Sequence, residues 1–469
     1  MDRRRQLLRS IPSVEKVLGH PEVVALGTEL PRWAVTDAAR VVLDDIRRAI
    51  SDGNLEEEPQ MSAIVERLKR EAVVKSARGI RRVINATGVV IHTNLGRSIL
   101  SDQAMQAVQE VGKAYSTLEF DVSTGKRTSR TKHVEDLLTR IIGCEAAFVV
   151  NNNAGAVLLA LNTLSDGMET VVSRGELVEI GGSFRLPEVM NRSGAKMVEV
   201  GTTNRTRLDD YSSAITEATR VLLKVHLSNF EMRGFVESVS GRDLAALAQE
   251  HGLVMMEDLG SGALFDLSRI GLAKEPMPQE ALAEGAGVVT FSGDKLMGGP
   301  QAGIIVGRRE LISQIRTNPL ARALRIGKFT LAALEETLRH YLEPALLPEK
   351  VATLRMLAYS PEELRVRAGR VVKALSGRLA GILRLSVAEE TSQAGGGSLP
   401  AAGLRTFAMS ISSDRYSANH IVSVLRECQI PIVARIAENN VLIDFRTVQP
   451  SEDEIVIQQI VAAFAGGDS

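Results

Sequence analysis

Hydrophobic and polar positions change rhythm twice along the chain. In VTDAARVVLDDIRRAI, Ala38, Val41, Val42, Ile46 and Ala49 recur at three- and four-residue spacing, with Arg40, Arg47 and Arg48 mostly on the other side. That period predicts an amphipathic helix. Pro21 and Pro31 punctuate the segment before it, and the polar SDGNLEEEPQ after it reads as a connection. Residues 1–78 therefore predict a small helical domain. From about residue 80 to 345, short β-branched runs alternate with helical windows such as GRDLAALAQEHG. The runs are AAFVV (146–150), ETVVS (169–173), KMVEV (196–200), RVLLKVH (220–226), LVMMED (253–258), GVVTFS (287–292) and AGIIVG (302–307). Apolar runs without strict alternation predict strands buried on both faces, hence a mainly parallel sheet covered by helices, with residues 79–345 as the large catalytic domain. In such folds ligands bind beyond the carboxyl ends of the strands, close to helix N-termini.

The third rhythm, 346–469, predicts a small α+β domain. It opens on SPEELRVRAG, where Ser360 caps a helix and Pro361 fits its first turn. FAMSIS, SANHIVSVLRE, IPIVARI, NVLIDFR and SEDEIVIQQIVAAF follow the low-complexity TSQAGGGSLPAAG, which composition alone reads as a flexible linker. Three domains suit 469 residues at about 150 each. With 44% hydrophobic and 24% charged residues, disorder along most of the chain is excluded. The balance of 56 Lys+Arg against 57 Asp+Glu gives a net charge of -1, so any polyanion must be held by a local patch. Cys144 and Cys428 are too few and too far apart for a disulfide framework or a zinc site, which points to a reducing, cytoplasmic compartment and to no metal. No secretory signal opens the sequence, and no uninterrupted apolar window of about 18 residues predicts a membrane span.

Candidate chemistry begins with Lys295 in TFSGDKLMGGPQAG. A buried lysine loses basicity and can form a Schiff base. Alone in a glycine-rich loop it is more often a surface or phosphate-contacting residue. Asp258 ends the apolar run LVMMED, where a carboxylate can pair with a pyridinium nitrogen. In AFVVNNNAGAVLLAL, a strand passes through a polar turn into a helix, and Asn153, Ala154 and Gly155 would offer backbone N–H groups to a phosphate. Taken alone, that turn is ordinary asparagine capping. In the order phosphate turn, strand-end aspartate, lysine, the three give the layout of a pyridoxal phosphate enzyme. Ser292 would add a hydroxyl to the phosphate and Asn229 would bond the cofactor's phenolic oxygen, whereas His226 reads as strand-end lining.

The runs INATGVVIHTNLGRS (84–98), SRGELVEIGGSFRLPEVM (173–190), VHLSNFEMRGF (225–235), EDLGSG (257–262), FSGDKLMGGPQAG (291–303) and PLARALRIGK (319–328) resemble bacterial selenocysteine synthase, the L-seryl-tRNA(Sec) selenium transferases, over essentially the whole chain. The resemblance implies an α/β, aminotransferase-like fold (fold type I) with a helical N-terminal and a small C-terminal α+β domain. It implies that Lys295 carries pyridoxal 5'-phosphate and serves as base, and that seryl-tRNA(Sec) loses water before selenium from selenophosphate adds at Cβ. It further implies that Arg97, Arg322 and Arg325, with Asp294, hold the selenium donor. Guanidinium forks suit such an oxyanion, although arginines three apart are by themselves more often an exposed helix face. By the same resemblance the N-terminal domain binds the tRNA, making Arg3, Arg4, Arg5, Arg9, Arg40, Arg47 and Arg48 candidate phosphate contacts, and the chain forms a ring-like homodecamer of dimers, with no membrane and no DNA partner. The GGGSLP segment (395–400) also resembles the family.

Other readings stay open at this level. A pyridoxal phosphate lyase acting on a small amino acid or amino-sugar acid without tRNA would be expected to lack the roughly 80 residues before INATG. A scaffold that has lost its chemistry is disfavoured by Asp258, Lys295 and the three arginines. A nucleotide-binding protein is disfavoured because no Walker-type lysine follows NNNAGA.

Overall fold

The amphipathic pattern folds as the helix Arg32–Asp52 in the computed structural model, which buries Ala34, Val35, Ala38, Ala39, Val42, Leu43, Ile46 and Ile50. The structure describes residues 2–465 except 56, 182 and 183, so Glu56 of the polar connection and Gly182 and Ser183 of the 173–190 run lie outside the described residues. Gly53, at φ 78°, closes the helix in a left-handed cap that L side chains disfavour, and Ile64, Val65 and Leu68 of the helix Met61–Ser76 complete the core. Arg40, Arg47 and Arg48 stay exposed and pair with Asp37, Asp44 and Asp45, three residues earlier. Exposed pairs of this kind add little stability. The chain divides after Arg82 into two compact units.

The second unit, Val83–Ser469, holds two larger sheets. The seven-stranded one runs in the order Ala146–Val150, Gly303–Gly307, Val288–Ser292, Val254–Asp258, Thr219–Val225, Glu169–Ser173, Lys196–Val200. Gly303–Gly307 is antiparallel to both neighbours and every other pairing is parallel. Each apolar run of the sequence becomes one of these strands. Val288–Ser292 and Gly303–Gly307 are buried at every position, which is why neither alternates.

The six-stranded sheet has the order Ile84–Ala86, Ile432–Ala437, Asn440–Asp444, Ser398–Ser412, Arg384–Gly395, Val89–Ile91. Two of its strands thus come from residues 84–91, which the sequence pattern grouped with the large domain. They are three residues each, too short for a period to show, and Gly88 turns between them at φ 79°. A Cβ on Gly88 would fall 2.3 Å from Oδ2 of the buried Asp444. The low-complexity stretch is a β-hairpin rather than a linker: Arg384–Gly395 pairs antiparallel with Ser398–Ser412 around Gly395, Gly396 and Gly397, at φ 75°, 64° and 68°. Three consecutive left-handed residues explain the three glycines. The helix Pro361–Ser376 carries the expected cap, closed by a 2.8 Å bond from Ser360 N–H to the Glu363 carboxylate and a 3.2 Å bond from Glu363 N–H to Ser360 Oγ.

No described helix is long and apolar enough to cross a membrane, and no cluster of potential metal ligands occurs among the described residues. Cys144 and Cys428 are free and partly buried, and burial pushes the Cys144 thiol up to about 11.

Gly303 lets the antiparallel strand lie against the turn at Asn152 and Asn153: a Cβ there would sit 2.0 Å from Asn152 O and 2.9 Å from Asn153 N. Because both atoms are backbone, Gly303→Ala should lower stability by about 1–3 kcal/mol, measured by urea denaturation. A midpoint equal to wild type would show that the turn yields without cost.

Candidate active site

Three strands of the seven-stranded sheet, Ala146–Val150, Val254–Asp258 and Val288–Ser292, lead at their carboxyl ends into residues of one cavity. At the end of Ala146–Val150 the chain turns into the helix Asn153–Ser165, capped by Asn152, whose Oδ1 accepts from Gly155 N–H at 2.8 Å. The first N–H groups of a helix lack intrahelical acceptors, and Asn152, Asn153 and Ala154 line a cavity of about 470 Å³. Gly155 is not on that lining: its N–H is spent on the cap, and a Cβ there would meet Leu324 at 3.1 Å.

Asp258, 4% exposed, ends Val254–Asp258. Oδ1 accepts from Asn153 Nδ2 and Thr290 Oγ1, both at 2.8 Å, and more weakly from Gly260 N–H at 3.5 Å. All three donors go to one oxygen, leaving Oδ2 for a ligand in the cavity that Asp258 lines. Burial pushes the carboxyl up, opposed by these hydrogen bonds and by Lys295. The next strand ends in Ser292, also on the lining, and leads into Asp294 and Lys295, both over nine-tenths buried. Burial and the nearby Arg97 guanidinium lower the lysine's basicity, partly offset by Asp258, Asp294 and Glu275. A lowered pKa leaves more of the amine neutral, the form able to attack a carbonyl or take a proton.

Arg97 donates to Asp294 Oδ2 at 2.7 Å from a left-handed backbone, φ 64°. Its neighbour Ser98 places Oγ 2.7 Å from Asp294 O and 2.9 Å from Lys295 O, bracing the lysine loop. Asn229 donates to Glu179 O at 2.8 Å and also lines this cavity, and its Oδ1 is buried and has no partner. Arg322 and Arg325 lie elsewhere within the chain, in a separate cavity of about 390 Å³ beside Arg127, Arg130 and Arg316, and Arg325 is paired with Glu119. His226 lines a third cavity, and its backbone N–H donates to Asp258 O at 3.0 Å.

Sequence reasoning missed Thr93, Ile180, Phe184, Gln301, Gly396 and Gly397 on the cavity wall. Of these only the glycine run carried a signal, as composition. Thr290 could have been found as the residue two before Ser292 on one strand face. Glu275, buried and near Lys295, stands in an irregular segment that carried none.

The residues fit pyridoxal phosphate. Asn153 Oδ1 and Asn229 Oδ1 are buried polar atoms with no protein partner, as expected where a polar ligand belongs. Helix N–H groups and Ser292 would hold the phosphate, Asp258 Oδ2 the ring nitrogen and Lys295 the aldehyde carbon.

Residues 83–449 match the protein family described as L-seryl-tRNA selenium transferase, and residues 8–47 match the one described as selenocysteine synthase N terminal. The L-seryl-tRNA(Sec) selenium transferase of Clostridium perfringens (strain 13 / Type A) is 47% identical over 456 residues, covering 97% of this chain and 98% of that protein. Its counterpart in Desulfomicrobium baculatum is 49% identical over 461 residues, covering 98% and 99%. Among solved structures, a D-glucosaminate-6-phosphate ammonia-lyase superposes with a TM-score of 0.57 at 22% identity, over 82% of this chain and 96% of that one. That likeness is one of fold, and the architecture is the expected pyridoxal phosphate-dependent fold type I with a helical N-terminal region. With sequence likeness running nearly end to end, this chain belongs to the L-seryl-tRNA selenium transferase family.

Proposed function

We propose that the chain converts L-seryl-tRNA(Sec) to L-selenocysteinyl-tRNA(Sec): the serine hydroxyl leaves as water, and selenophosphate supplies the selenium, its Se–P bond being hydrolysed with release of phosphate. The observation that carries this reading is the cavity joining Lys295, Asp258 and the Asn152–Ala154 turn, in a chain related to selenium transferases from end to end. When bound, pyridoxal phosphate supplies an electron sink for the negative charge left at Cα. Asp258 offers Oδ2 to the ring nitrogen and is itself held by Asn153 and Thr290. Lys295, made less basic by burial, takes the Cα proton of the seryl group, and Ser98 keeps its loop in place. Arg97, paired with Asp294, is the cation in this cavity suited to the selenium donor's oxyanion. Arg322 and Arg325 remain assigned to the donor by motif resemblance. The N-terminal unit is assigned to the tRNA, and the reading implies a cytoplasmic homodecamer built from dimers.

The roughly 80 N-terminal residues and the full-length relatives favour this reading over a lyase acting on free amino acids. The test is turnover of seryl-tRNA(Sec) with selenophosphate, against seryl-tRNA(Ser) and free serine. Turnover of free serine with indifference to tRNA would establish the lyase instead. Borohydride treatment followed by peptide mass spectrometry should place a pyridoxyl group on Lys295, and a visible band that survives in Lys295→Ala would remove Lys295 from its role. Asp258→Asn should lower turnover by about 10²–10⁴-fold while the protein still binds cofactor. Arg97→Ala should slow selenium transfer far more than it weakens binding of the seryl group, measured by single-turnover kinetics. Equal losses in both would indicate a general structural role.

A further inference from the structure

The cavity that holds Arg322 and Arg325 carries more charge of one sign than it neutralises. The guanidinium groups of Arg127, Arg130, Arg316, Arg322 and Arg325 line it, and among the described residues of that lining Glu119 is the one carboxylate. Arg316 is satisfied from outside the lining, its Nη2 lying 2.7 Å from both carboxylate oxygens of Glu135. Arg322 has no carboxylate partner among the described residues. Glu119 is shared three ways. Its Oε1 accepts from Arg130 Nε at 2.9 Å and Nη2 at 2.7 Å and pairs with Arg325, while Oε2 accepts from Arg127 Nη2 at 3.0 Å. A carboxylate ringed by three guanidinium groups stands where a tetrahedral oxyanion would find its donors.

The two sides of the Glu119–Arg325 pair are held differently. Arg325 bridges Val150 through its backbone, and Leu324 O accepts from Asn151 N–H at 3.2 Å, so the arginine is tied to the carboxyl end of Ala146–Val150. Val149 and Val150 there are fully buried. Arg130 is fixed to the same segment by a 2.6 Å bond to Ile326 O. Glu119 instead sits at the root of a short hairpin, Phe120–Asp121 against Lys126–Arg127, and none of residues 111–129 is buried. A segment with so little apolar packing withdraws a carboxylate at small cost, whereas Arg325 cannot retreat without disturbing the strand end.

We propose that Glu119 is an internal counter-anion: it occupies, with Arg325, the place of a tetrahedral oxyanion of the phosphate and sulfate class, and it must release that guanidinium before the oxyanion binds. Such an anion offers more oxygens to the guanidinium forks than a carboxylate does, which favours the exchange once the anion is present. In its absence the site is filled from within, and apparent affinity is lowered by the fraction of molecules that are open. Which oxyanion is bound rests on the reading of Arg325 as a donor residue, under which it is selenophosphate; the displacement of Glu119 does not rest on that reading.

The test uses the full-length, cofactor-loaded protein with inorganic sulfate as probe, titrated calorimetrically at low salt. Glu119→Gln keeps the side-chain length and an acceptor for Arg130 but removes the competing charge, so sulfate should bind about tenfold more tightly than to wild type. In the wild type, saturating sulfate should raise labelling of the Glu119 carboxyl by a carbodiimide and an amine by about threefold or more relative to carboxyls elsewhere in the chain, read by peptide mass spectrometry. A glutamate that only braced the hairpin would, once replaced, loosen residues 120–127 and leave sulfate binding no tighter. Sulfate affinity equal to or weaker than wild type in folded Glu119→Gln overturns the proposal, as does unchanged labelling in the wild type, which decides the matter should the glutamine variant fail to fold. The KM for selenophosphate reports separately on the donor reading. It should fall together with the sulfate dissociation constant, and tighter sulfate with an unmoved KM would uphold the counter-anion while removing Arg325 from the donor site.

Discussion

An ionisable group taken out of water at the end of a central strand sets the terms for the rest of this site. Asp258 is almost fully buried, and a carboxylate there is tolerable only if donors surround it. Two of them come from elements that must themselves be placed: Asn153 from the turn after Ala146–Val150, and Thr290 from the neighbouring strand, directly opposite Asp258 in register. One oxygen thus ties the phosphate turn, the aspartate strand and the strand leading to Lys295. Glycines permit the close approach this requires. A Cβ on Gly262, at φ 69°, would fall 2.0 Å from Ser292 O, and Leu296 N–H donates to Ser261 O at 3.1 Å, locking the loop after Asp258 to the lysine loop.

Around Lys295 the same logic acts on a cation. Burial and Arg97 disfavour its charge while Asp258, Asp294 and Glu275 favour it, and burial is the largest effect. Arg97 reaches Asp294 from a backbone conformation that few residues other than glycine adopt. Such strain persists only where surrounding contacts over-determine it, here the hydrogen bond to Asp294 and the contacts of Ser98 with the lysine loop. The basic residues of the chain are therefore used in different ways. Arg97 serves the lysine cavity, Arg322 and Arg325 share another cavity with Glu119, and Arg40, Arg47 and Arg48 are matched one for one by aspartates on their own helix.

The strands of the seven-stranded sheet, the capped helix at Ser360 and the amphipathic helix over Arg32–Asp52 were legible in the sequence because each depends on local periodicity and a local cap. Lys295, Asp258, Asn153 and Ser292 were legible because each sits where a strand ends, a position that chain order marks. Gly155 lies off the cavity lining for a local reason as well: its N–H is claimed by the asparagine cap three residues earlier.

What the sequence by itself determined was the order of elements and the fold class, with Lys295 and Asp258 as candidate site residues, since all are encoded by residue type at a spacing of a few residues. Only the tertiary structure decided which distant segments close the site. It carried the hairpin of 395–397 to the lysine, drew residues 84–91 into the six-stranded sheet and separated Arg322 and Arg325 from Arg97 within the chain. Those outcomes depend on pairings between residues tens to hundreds apart, set by burial and sheet register, and neither leaves a period along the chain.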